Sequence, residues 1–162
     1  MSETSTRPEA AALDANDNRL EHRVLVLAPF GRDAVEVRGV LGEAGLAAEG
    51  CPDVEALCAE IGRGAAAALV AEEALSEEAR RRLSTALAEQ PTWSDLPLLV
   101  MTSRVRGESD GWHVLRGIEG TAHLTLLERP LNRATLVSAV RVAVLRRPRA
   151  GAGHRKSSPP PS

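Results

Sequence analysis

Residues 23–28 read RVLVLA, a run of branched and aliphatic side chains with no polar position after the first. The stretch that follows, GRDAVEVRGVLGEAG, places Val37, Val40, Leu41 and Ala44 at i, i+3, i+4 and i+7. The first pattern predicts a strand buried on both faces, the second one stripe of a helix. Gly45 marks the end of that helix. A weak strand over 46–50 comes next, then a helix that Asp53 can cap and that carries Leu57 and Ile61 on one side. AAAALVAEEAL, residues 65–75, is a second buried run, and it ends abruptly in Glu72 and Glu73. Ser76 followed by Glu77 and Glu78 predicts a helix start, because a hydroxyl and two acids suit the free amides and dipole there. That helix is expected to run to about residue 90.

PLLVMTS, residues 97–103, predicts a fourth strand, with Pro97 at its first position, where no ladder amide is lost. The glycine-punctuated region 104–120 offers at most a short helix over 112–116. HLTLLERPL supplies a fifth strand, and residues 132–147 a last helix that Pro148 stops. Five strands alternating with helices, with almost continuous apolar runs in the first, third and fourth, imply a parallel sheet covered on both faces. Right-handed crossovers leave few arrangements of five such units. The expected fold is α/β: a flavodoxin-like, doubly wound five-stranded parallel sheet of order 2-1-3-4-5, a three-layer sandwich whose switch point lies between strands one and three.

Composition narrows the chemistry. Of twenty basic residues nineteen are arginine, and the one lysine, Lys156, lies in the tail. A Schiff base or a P-loop lysine in the core of a site is therefore not expected. His22, His113, His123 and His154 are scattered without ligand spacing, and Cys51 and Cys58 fit neither a zinc nor a redox motif, so both read as reduced thiols. The net charge of -2 is uneven: residues 1–21 hold five acids and two arginines, whereas 146–162 hold five bases and no acid. Both ends have the composition of disordered segments, an arm over 1–21 and a basic Pro/Gly/Ser-rich tail over 148–162. Without interleaved aromatics the tail is expected to be solvated, and nucleic acid is not expected as a partner. No apolar stretch approaches the length of a membrane span and no signal peptide is evident, so a cytoplasmic location is expected.

At the carboxyl ends of the strands this order brings together residues 28–31, Glu72 and Glu73, Thr102 and Ser103, and residues 128–130. The layout over 22–147 resembles a response-regulator receiver (CheY-like) domain. The resemblance implies an aspartate after strand three that accepts a phosphoryl group, acids after strand one that hold Mg²⁺, a Thr or Ser ending strand four, and Lys-Pro after strand five. Thr102 and the Arg129-Pro130 pair match in position. AEEAL, WSDLPLLVMTS and LLERPL with ATLVSAVR also resemble degenerate receiver-like segments that precede sensor and kinase domains in bacterial multidomain histidine kinases.

The departures decide the chemical expectation. After strand one the chain reads APFG, with no acid before Asp33, and Mg²⁺ needs several oxygen ligands in near-octahedral geometry. Arg129 replaces the lysine, with a planar fork in place of a point charge. Glu72 stands at the acceptor position and is one methylene too long for a geometry that tolerates little displacement. The expectation is a pseudo-receiver: not an enzyme, with no metal and no cofactor, in which Glu72 and Arg129 either form a permanent pair or both point to solvent, and in which either glutamate is the inward one if the register slips by one.

Surfaces then carry the function. On the first helix Val35, Gly39 and Gly42 fall at i, i+4 and i+7 opposite the core stripe, a small-residue strip for a partner helix, although each interior glycine costs roughly 0.5 to 1 kcal/mol. On the last helix Val142 and Leu145 lie outside the stripe of Leu136 and Val140, a candidate dimer surface. The expected partner is a histidine kinase or another receiver, bound independently of phosphorylation. The alternatives are a small-molecule sensor using the switch-point crevice and an atypical response regulator phosphorylated on Glu72.

Overall fold

The computed structural model describes residues 15, 18–28, 32–90, 95–103, 116–118 and 123–146. Residues 29–31, residues 112–115 of the helix expected over 112–116, and the tail from 147 lie outside the described residues, as does most of the N-terminal arm. Five strands, β1 (Val24–Leu27), β2 (Ala48–Cys51), β3 (Ala67–Ala71), β4 (Leu98–Thr102) and β5 (Leu124–Glu128), alternate with α1 (Asp33–Glu43), α2 (Val54–Arg63), α3 (Glu77–Ala88) and α4 (Arg133–Arg146). All strand pairs are parallel and the order is β2-β1-β3-β4-β5, the expected flavodoxin-like arrangement.

Strand alternation sorts the core into two layers. Leu25, Leu27, Val70 and Val100 face α2 and α3, where they meet Leu57, Ile61, Leu83 and Leu87. Val26, Leu69, Leu99 and Met101 face the other way, toward Val37 and Leu41 of α1 and Leu136 and Val140 of α4. Because successive side chains point to opposite faces, a continuous apolar strand is what this two-sided burial requires. Helix starts are held by side chains: Asp53 accepts from the Ala56 amide at 2.7 Å, Ser76 from Ala79 at 3.1 Å and Asn132 from Thr135 at 2.7 Å. Gly45, at φ +80°, provides the left-handed step that ends α1.

Three features differ from expectation. The arm expected to be disordered through residue 21 is helical over 18–22, where Leu20 and Glu21 lie against Gly64 and the Leu20 carbonyl accepts from the Arg23 amide at 3.4 Å. The run 65–75 is strand only to Ala71; Glu72–Ala74 wind into a 3₁₀ turn. Arg23, which opens the first apolar run, is 5% exposed. Its guanidinium meets the Glu49 carboxylate at 2.5 Å and that of Glu60 at 2.6 Å, and donates to the carbonyls of Gly64 and Glu60 at 3.0 and 3.1 Å. A buried cation is tolerable only when paired and hydrogen-bonded in this way.

Candidate functional site: the carboxyl-end crevice

The register sets the crevice. Ala71 pairs with Met101 and Thr102 with Glu128, so the residues just past β3, β4 and β5 emerge side by side, with the start of α1 beyond them. Thr102 is buried, and its carbonyl accepts from the Arg129 amide at 2.9 Å, which fixes the backbone of Arg129 over the sheet. The Arg129–Pro130 peptide is cis. Thr102, Arg129 and Pro130 thus occupy the positions expected of them.

The two glutamates divide differently from expectation. Glu72 does not reach Arg129; its Oε1 accepts the Ser103 amide at 2.6 Å. Glu73 makes the ion pair with Arg129. The physical reason is the 3₁₀ turn. In a strand the two side chains would point to opposite faces, but three residues per turn rotates each by about a third of a circle from the last. Glu72 then caps the end of β4, and Glu73 swings across to β5. The inward carboxylate is the second of the two, as a one-residue slip allows. Sequence reasoning also missed Asp33: its Oδ2 lies 3.6 Å from Arg129 Nη2, so a residue assigned to helix α1 closes the third side of the crevice.

One guanidinium therefore bridges carboxylates from α1 and from the turn after β3, with its side chain 25% exposed. Burial of Glu73 opposes its ionisation, but the hydrogen bond from Arg129, a backbone hydrogen bond and the Arg129 charge outweigh it and hold the carboxyl below its ordinary 4.5. Among the described residues no group of three or more His, Cys, Asp or Glu side chains is placed to hold a metal ion.

The Glu73–Arg129 pair is half open to water, so a modest energy is expected. A double-mutant cycle of Glu73→Gln and Arg129→Ala should return a coupling of about 0.5 to 1 kcal/mol. A group with a depressed folded pKa stabilises above its unfolded value, so the coupling should be full at pH 7 and fade as pH falls below about 4.5. Urea unfolding at pH 7 and pH 3.5 checks both statements.

The two surface strips are placed as expected. Val35 is 71% exposed, and a methyl group added at Gly39 or Gly42 meets nothing within 4 Å, so no neighbour among the described residues demands either glycine. Val142 is 47% and Leu145 78% exposed, outside the buried stripe of Leu136, Val140 and Ala143. Cys51 is buried on β2, where burial and then the nearby Glu60 and Glu49 push its thiol up to about 11; Cys58 lies half-buried on α2, and both are free. No described helix is long and apolar enough to cross a membrane.

No family model matches the chain, and no curated protein sequence matches it. Solved structures do. A response regulator receiver protein from Sinorhizobium medicae WSM419 is 14% identical, with 77% of this chain and 95% of that one covered, at a TM-score of 0.57. The chemotaxis protein CheY4 of Vibrio cholerae is 14% identical, with 75% and 97% covered and a TM-score of 0.61. NtrX from Brucella abortus is 16% identical with a TM-score of 0.60; the match takes in 76% of this chain but only 26% of that one. At these identities the likeness establishes the fold, that of CheY-like receiver domains.

Proposed function

We propose that the chain is a pseudo-receiver of bacterial two-component signalling, which binds a histidine kinase or another receiver independently of phosphorylation. The observation that supports this reading is Arg129 set between Glu73 and Asp33. Phosphoryl transfer to a carboxylate relies on a divalent ion to neutralise developing charge. Here a guanidinium already lies against the carboxylates around which such an ion would gather. Glu72, at the acceptor position, is engaged by the Ser103 amide. The crevice on this reading is a fixed ionic clasp that holds one conformation, and the chain acts without catalysis, cofactor or metal.

Contact then falls to the surfaces. The strip of Val35, Gly39 and Gly42 on α1 suits the close approach of a partner helix, and Val142 and Leu145 on α4 suit a second copy of the chain. Immobilised protein should capture its partner equally well with and without acetyl phosphate and Mg²⁺, and Val35→Glu or Gly39→Arg should weaken capture at least tenfold, the loss expected when a charge enters an apolar contact. Capture that appears only after phosphodonor treatment would refute the reading.

A further inference from the structure

A cleft of about 470 Å³ opens between α1 and the 129–132 connection into α4. Its floor is apolar and buried: Met101 is 2% exposed, and Val37 and Leu136 are also buried. The walls carry opposite charge. Asp33 and Glu36 line the α1 side, and Arg129 and Arg133 the other, with Asn132 between the arginines in the chain. Only Asp33 and Arg129 meet across it. Glu36 makes no ion pair or side-chain hydrogen bond among the described residues, and Arg133 is paired outward, with Glu43 at the far end of α1. The Asn132 oxygen is taken by the Thr135 amide, so its amide nitrogen is the group left to donate.

Apart from the Asp33–Arg129 contact, acids on one wall face bases on the other over a buried apolar floor, a lining that matches a ligand that is itself dipolar. We infer that this cleft is a binding site for a small zwitterion with an apolar body, the chemistry of a free hydrophobic amino acid or short apolar peptide. The ammonium sits against Glu36 and Asp33, the carboxylate against Arg133 and the Asn132 amide, and the aliphatic body on Val37, Val40, Met101 and Leu136. Its size falls within the range of small-molecule sites. Val35, the exposed apolar residue of α1, lies outside the cleft, so cleft and strip are separate. The site goes beyond the pseudo-receiver reading and stands if that reading fails, because Glu36, Arg133, the Asn132 amide and the apolar floor serve a zwitterion whether or not the chain is phosphorylated. Through Asp33 and Arg129 it shares an edge with the ionic clasp, so an occupant would compete directly for one arm of that clasp.

Isothermal titration of the full chain with L-leucine, L-methionine and leucyl-leucine tests the site, with isopentylamine and 4-methylpentanoate as analogues that each lack one charge. At least one zwitterion should bind saturably in the millimolar range or better, and both analogues should bind at least tenfold more weakly, since each forfeits one charge-assisted contact. Glu36→Gln should weaken the zwitterion and leave 4-methylpentanoate unchanged; Arg133→Gln should weaken the zwitterion and leave isopentylamine unchanged. Both residues are exposed, so neither change threatens the fold. Absence of saturable binding by all three zwitterions, or analogues that bind as tightly as they do, would overturn the assignment.

Discussion

Replacement of Arg23 by methionine is expected to lower the unfolding free energy by about 3 kcal/mol, the lower end of the loss seen when one partner of a buried ion pair is removed. The methionine keeps most of the apolar stem, so the loss is mainly polar. Two carboxylates and the carbonyls of Gly64 and Glu60 lose their donor at the foot of the sheet, where β1, β2 and the end of α2 converge. The lower end applies because Glu49 is half exposed and water can resolvate it. Adding Glu49→Gln and Glu60→Gln should recover part of the loss, since the stranded charges are then gone. The penalty is also pH-dependent. The hydrogen bond from Arg23, against the opposing effect of burial, is the main cause that holds the Glu60 carboxyl below its ordinary 4.5. This stabilisation is present above the unfolded pKa and is lost as pH falls through the folded one. Parent and variant should therefore differ less at pH 3 than at pH 7 in thermal or urea unfolding.

Leu69→Ala should cost about 3 to 5 kcal/mol, the cost of lost transfer free energy plus an incompletely collapsed cavity. Leu69 is fully buried on β3, the strand that β1 and β4 flank, and its layer is closed by α1 and α4. Its neighbours are held by a strand ladder on each side and cannot move in to fill the space. Leu145→Ala, on the open side of α4, should change stability by less than about 0.5 kcal/mol. Urea unfolding of the two variants side by side measures the contrast, and equal effects would mean that the two-layer core is wrongly assigned.

Those contrasts follow from what could be read along the chain and what could not. The alternation of apolar runs with helical stripes carries the fold, because two-sided burial leaves no polar position in β1 or β3 and only the terminal Thr102 in β4. Asp53 and Ser76 were legible as caps because a cap is a local matter of three residues. Arg23 was not legible. An arginine at the edge of an apolar run reads as solvated, and its partners lie 26 and 37 residues away. The site was half legible for a related reason. Arg129 and Thr102 are placed by strand register, which the pattern defines. Which glutamate turns inward depends on where β3 gives way to a 3₁₀ turn, and the difference of one residue moves the ion pair from Glu72 to Glu73. Asp33 joins the pair through the position of α1 over the sheet, a tertiary fact with no local signature.

On the proposed reading, the crevice at the carboxyl ends of the strands holds an ionic clasp instead of performing phosphoryl transfer. Intact mass spectrometry after incubation of the full chain with acetyl phosphate and Mg²⁺ at neutral pH tests it most directly. The unmodified mass is expected for both the parent chain and a Glu72→Asp variant, because Arg129 stays bound by Glu73 and Asp33 in each. A phosphoryl adduct on the parent chain, lost on Glu72→Gln or Glu73→Gln, would contradict it.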